Sequence, residues 1–117
     1  MEWLNLTSEN QLKEINQRSF DPRFLGVLLF KHSTRCSISS SALNRLERNW
    51  KFSSETLPSY YLDLINYRQL SQKIAETYLI QHESPQVLII KNGKCIYSTS
   101  HSDINVDDII STIQINN

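Results

Sequence analysis

Apolar positions in this chain follow two rhythms, short dense runs that suit strands and a three-to-four-residue beat that suits helices. Ser8 with Gln11 fits a capping box for a first helix, Leu12 and Ile15 give it a modest apolar side, and Asp21-Pro22 stops it. Leu25-Gly26-Val27-Leu28-Leu29-Phe30 is apolar on both alternating faces, which predicts a central strand covered on each side. Ile38, Ala42, Leu43, Leu46 and Trp50 then recur at helical spacing, with Asn44, Arg45, Glu47 and Arg48 as the polar remainder. Tyr60 to Ile65 reads as a second strand, its tyrosine pair sending one ring to each face. Asn66 with Gln69 predicts the cap of a helix whose apolar face is Tyr67, Leu70, Ile74 and Tyr78. Val87-Leu88-Ile89-Ile90 and Cys95-Ile96-Tyr97-Ser98-Thr99 flank Asn92-Gly93, a strong hairpin signal because a type I′ turn needs positive φ at both central residues. Asn105 is placed to cap a last helix carrying Val106, Ile109, Ile110 and Ile113, with Asp107 and Asp108 near its positive end.

The predicted string is αβαβαββα, an α/β order in which a βαβ half precedes a ββα half behind an added helix. That is the thioredoxin order, with a central four-stranded mixed sheet flanked by helices. It makes one further demand, a cis proline before the third strand, and Ser84-Pro85 stands directly before Gln86 and Val87. In such a fold the cis bond exposes the preceding backbone opposite the active cysteine, where it can pair with an extended peptide.

Composition narrows the picture further. The 117 residues suit one domain spanning 1–117. Twelve basic and twelve acidic side chains cancel, so no global field favours nucleic acid or an anionic membrane as partner. The N-terminus lacks a basic stretch followed by an apolar core, and no segment approaches eighteen consecutive apolar residues, so a cytosolic location is expected. Cys36 and Cys95 are too few for a secreted disulfide framework and are expected as free thiols.

Cys36 carries the candidate chemistry. It opens a helix after a buried strand, where helix N-terminal amides and the neighbouring Lys31, His32 and Arg35 can stabilise a thiolate. Its spacing is that of a Cys-x-x-Cys redox motif with Ser39 in the second position, and that hydroxyl can donate to the thiolate but cannot attack a mixed disulfide. The plain alternative is a buried, inert thiol. Cys95, in the outgoing hairpin strand, reads as a structural thiol and a weak resolving candidate. The spacing of His32, His82 and His101 forms no zinc pattern, and no metal or tightly bound cofactor is expected.

Phe30-Lys31-His32-Ser33-Thr34-x-Cys36-x-Ile38-Ser39, His82-Glu83-Ser84-Pro85-Gln86, Lys91-Asn92-Gly93-Lys94 and Thr99-Ser100-His101 together resemble the monothiol, YtxJ-type bacilliredoxins, and the resemblance covers nearly the whole chain. It implies a thioredoxin-like thiol-disulfide oxidoreductase that takes bacillithiol, or a related small thiol acting as co-substrate, from mixed disulfides on cytosolic proteins onto Cys36. Thr34, Arg35, Ser37 and Ser39 are then expected to support the thiolate or helix start. His32, His82, Ser84, Pro85, Gln86 and His101 are expected to line the thiol and substrate site. Ser37 departs from the Pro that such proteins often carry there, which removes a fixed φ and adds a hydroxyl near the sulfur.

Two other classes stay open at this point. One is a binding module holding partners or a shared iron-sulfur cluster through one cysteine and an external thiol, as some monothiol glutaredoxins do, although Ser37-Ile38 replaces the Gly-Phe pair of those proteins. The other is a redox sensor closed by a Cys36–Cys95 disulfide, which geometry decides.

Overall fold

The computed structural model describes residues 1–117. In chain order the elements are β1 (Trp3–Asn5), α1 (Glu9–Ser19), β2 (Val27–His32), α2 (Ser37–Asn49), β3 (Ser59–Asp63), α3 (Arg68–Tyr78), β4 (Gln86–Lys91), β5 (Lys94–Ser100), a 3₁₀ turn (His101–Asp103) and α4 (Val106–Asn116). They form one five-stranded sheet ordered β1-β3-β2-β4-β5, in which β3 runs parallel to β1 and β2, and β4 antiparallel to β2 and β5. No helix is long and apolar enough to cross a membrane.

All six residues of β2 are buried, which is why its sequence shows no polar alternation. Val27 and Leu29 face a core shared with Leu12 and Ile15 of α1 and with Leu70, Ile74 and Tyr78 of α3. Leu28 and Phe30 face the opposite core, closed by Ala42 and Leu46 of α2 and by Val106, Ile109 and Ile113 of α4. The strand alternation continues into its last two residues, so Lys31 reaches the α3 side and His32 the α2 side. Tyr60 and Tyr61 likewise divide between the two cores, as their adjacency predicts.

Several local signals operate as read. Gln11 Oε1 accepts from the Thr7 and Ser8 amides at 2.7 and 3.1 Å, forming its arm of the capping box. Asn105 Oδ1 accepts from the Asp108 amide at 2.9 Å. Asn92 and Gly93 have φ of 53° and 76°, the two left-handed residues of the type I′ hairpin. Ser84–Pro85 is cis.

Other features differ from the expected pattern. The sheet has five strands, not four, because Trp3–Asn5 pairs in parallel with Ser59–Tyr61 at its edge, and the Leu6 amide continues that contact to the Tyr61 carbonyl at 2.8 Å. Asn66 does not cap α3. The helix starts after Tyr67, and Asn66 Nδ2 instead donates to Asp63 Oδ2 at 2.7 Å. Ile38 shares the spacing of the α2 face yet is 50% exposed, because the first turn of α2 lies beyond the end of the buried strand it follows.

Candidate active site

Cys36 is the N-cap of α2, in extended conformation (φ −110°, ψ 123°), and it is partly exposed. The Ser33–Cys36 turn delivers it there: the Cys36 amide donates to the Ser33 carbonyl at 3.1 Å, and the Cys36 carbonyl accepts from Ser40 at 3.1 Å as the helix begins. Thr34 and Arg35 lie exposed on this turn, and Ser37 and Ile38 are exposed on the first turn of the helix. The Cys36 side chain makes no capping hydrogen bond.

Ser39 does not serve the sulfur as expected. It is fully buried, and its Oγ lies 2.6 Å from His32 Nδ1 while accepting from the Ser33 amide at 3.0 Å. The Ser39 hydroxyl thus joins the Ser33 amide to the His32 ring. His32 is also displaced from its expected role at the thiol surface. It is 4% exposed and packed against Phe30 and Tyr61, with ring centroids 5.7 and 5.5 Å apart. Burial pushes its pKa down, opposed by the charge of Asp63. The pair therefore fixes the strand-to-helix turn from below. Ser39→Ala strands a buried amide and a ring nitrogen, and urea denaturation should find the variant about 1–3 kcal/mol less stable. A variant as stable as the parent would remove this role.

The cis-proline segment faces the same end of the sheet. Phe30 pairs with Val87 and Lys31 with Gln86, so Pro85 is level with His32, four residues before Cys36. Pro85 is buried, and its carbonyl accepts from the His101 amide at 3.0 Å. His101 itself is exposed, with φ of 56°, and Arg45 holds its turn by donating to the Ile104 carbonyl at 3.1 Å. Ser84 Oγ is buried without a partner. Gln86 is turned inward: Nε2 donates to the Gln81 carbonyl at 3.0 Å and Oε1 accepts from Glu83 at 3.4 Å, which holds the loop that carries His82. The structure thus brings Cys36, Ser84, Pro85 and His101 to one end of the sheet and leaves His32, Ser39 and Gln86 as internal supports.

Ser71 and Arg68 escaped the sequence reading as site residues, and Lys31, expected among the groups beside the thiolate, is instead buried on the α3 side of the sheet. Lys31 is 1% exposed, and its Nζ lies 3.2 Å from both the Ser71 carbonyl and His82 Nδ1. Burial pushes its pKa down to about 8. The available signal was two polar residues, Lys31-His32, closing a run of otherwise apolar buried positions.

Cys95 is remote from this end. It pairs with Ile90, which pairs with Val27, the first residue of β2, whereas Cys36 follows the last one. Five strand residues separate those levels by about 17 Å. Cys95 also packs against the α1/α3 core. A Cys36–Cys95 disulfide would require Cα atoms within about 7 Å, so the sensor reading fails on geometry. Burial pushes the Cys95 thiol up, and its Sγ contacts the Tyr97 carbonyl at 3.2 Å. No group of three or more His, Cys, Asp or Glu side chains converges anywhere in the fold.

Over residues 4–109 the chain matches the protein family described as monothiol bacilliredoxin BrxC. Among solved structures it is similar to a thioredoxin-fold protein described as a candidate oxidoreductase, at 29% identity and a TM-score of 0.75, over 94% of this chain and 92% of the other. Thioredoxin from Trypanosoma brucei brucei superposes with a TM-score of 0.69 at 16% identity, over 94% and 92% of the two chains. Thioredoxin from Malassezia sympodialis does so at the same score and identity, over 96% and 88%. These last two similarities establish the fold alone.

Proposed function

The chain belongs to the monothiol bacilliredoxin family of thioredoxin-fold proteins, and from that premise we propose that it removes bacillithiol, or a related small thiol, from protein mixed disulfides through Cys36. The Cys36 thiolate attacks the small thiol's sulfur in the mixed disulfide. A new Cys36–small-thiol disulfide forms as the old bond breaks, and the protein sulfur leaves as a thiolate that takes a proton from water. A second small thiol then attacks the adduct, which releases the symmetrical small-thiol disulfide and restores Cys36. No net oxidant is needed, since each step exchanges one disulfide for another.

The observation that carries this reading is the isolation of Cys36. It stands partly exposed at a helix start, Ser39 occupies the usual resolving position, and Cys95 lies at the far end of the sheet. A cycle resolved by an external thiol fits that arrangement. The partners are bacillithiolated proteins and the free thiol, and the half-buried Ser84 beside Pro85, at the same end of the sheet as Cys36, is where a substrate segment would lie. Incubating a bacillithiolated reporter with reduced protein should give an intact-mass increase of one bacillithiol on this chain and its loss from the reporter. If a glutathionylated reporter is stripped equally well, the small-thiol assignment broadens to thiols in general. If neither reporter is stripped, the reading fails.

A further inference from the structure

A cleft of about 350 Å³ opens on the α3 side of the sheet, lined by Leu64, Arg68, Ser71, Gln72 and His82. None of these is acidic, and two are basic or proton-bearing. Directly behind Ser71 and His82 lies the buried Lys31 ammonium, 3.2 Å from each. Its two partners are neutral. The ion pairs in the fold, Arg18–Glu14 and Arg23–Asp21, are elsewhere, so this buried cation has no carboxylate counter-charge. Buried charges without a partner are costly and uncommon, and an anion in the adjoining cleft would offset the cost.

The hydrogen-bond pattern points outward. Lys31 has only donors, so His82 Nδ1 accepts from it, and the His82 proton then resides on Nε2, on the ring edge away from Lys31. His82 is exposed, which makes that N–H available to a ligand. Arg68, exposed and without an ion pair, is the first residue of α3, whose first turn has no acidic side chain to offset the helix dipole. Glu83 is the nearby acid and does not line the cleft.

The cleft is also close in topology to the cysteine. Leu64, on its rim, donates its amide to the carbonyl of His32 at 2.9 Å, and His32 ends the strand from which the Ser33–Cys36 turn departs. We infer that this cleft holds a carboxylate of the small thiol during transfer, with Arg68, Ser71 and His82 in contact with it and Lys31 supplying the charge behind them. The inference rests on the thiol-transfer reading for its ligand, and on the uncompensated cation for its site.

The test pairs two adducts on one reporter protein, a mercaptosuccinate disulfide and a 2-mercaptoethanol disulfide, with a succinate titration of Cys36→Ser protein followed by the NMR signals of the His82 ring. The wild-type chain should strip the mercaptosuccinate adduct about tenfold faster, the worth of one charge-assisted hydrogen bond, and Arg68→Gln should bring the ratio near one. Succinate should shift the His82 signals. Equal rates for the two adducts in wild type, or a preference that Arg68→Gln keeps in full, would overturn the inference. Should neither adduct be stripped while succinate still shifts His82, the anion site stands and the transfer reading falls. Absence of the succinate shift overturns the site in every case.

Discussion

Cys36→Ser protein is expected to leave a bacillithiolated reporter at its uncatalysed rate of release, while Cys95→Ser protein strips it as the wild type does. Serine at position 36 keeps the size of the side chain and is a preferred N-cap residue, so α2 should start as before. What disappears is the sulfur: a hydroxyl is a weak nucleophile without an adjacent base, and His32, four residues before it, is buried and already bonded to Ser39. Cys95 differs in each respect. It lies at the opposite end of the sheet, burial disfavours its thiolate, and its contact with the Tyr97 carbonyl is one a serine hydroxyl can reproduce. Intact mass of reporter and chain over time measures both variants. Stripping retained by Cys36→Ser, or lost in Cys95→Ser, would sink the single-cysteine cycle.

Those residues also mark how far the sequence could be read. Local signals resolved well: a continuous apolar run gave β2, Asn92-Gly93 gave the β4–β5 hairpin, and Asn105 gave the start of α4. Each of these depends on neighbours in sequence. β1 escaped because three residues are too short to show a period, and its pairing is made with β3 more than fifty residues later. Ile38 misled for a related reason, since helical spacing reports a face but not where the sheet beneath it ends.

In the candidate site the same division holds. Cys36 and Ser84–Pro85 were legible because the order of elements demands them at those points. The partner of the Ser39 hydroxyl was not, because spacing along the chain set it beside Cys36 while the fold turns it inward to His32. Lys31, Ser71 and His82 are separated by 40 and 11 residues, and nothing local to any of them announces the others. A cation at the end of a buried strand was the visible clue, and only the packing of α3 shows that it lacks a counter-charge.

Lys31→Met should make the chain more stable at pH 7 and less able to favour a carboxylate-bearing thiol. Burial lowers the Lys31 pKa from 10.5 to about 8, and each pH unit between those values is worth about 1.4 kcal/mol. The folded state therefore holds the charged lysine at a cost of about 3 kcal/mol at neutral pH. Methionine fills a similar volume without charge, His82 Nδ1 keeps its contact with Ser71 Oγ at 3.2 Å, and a gain of about 1–3 kcal/mol is expected. The pH dependence fixes the cause. Below pH 8 both folded and unfolded chains carry the proton, and the full cost is present. Between about pH 8 and 10.5 the folded chain has lost it while the unfolded chain retains it, so wild-type stability rises with pH relative to the variant. Urea denaturation at pH 7 and pH 10 should show the gap between the two proteins closing. A variant less stable than wild type at pH 7, or a gap that does not change with pH, would mean that the buried ammonium is not strained. A buried ammonium without a carboxylate partner, beside an exposed histidine and a cleft without acids, suits an anionic ligand, and the same variant should lose mercaptosuccinate preference as it gains stability.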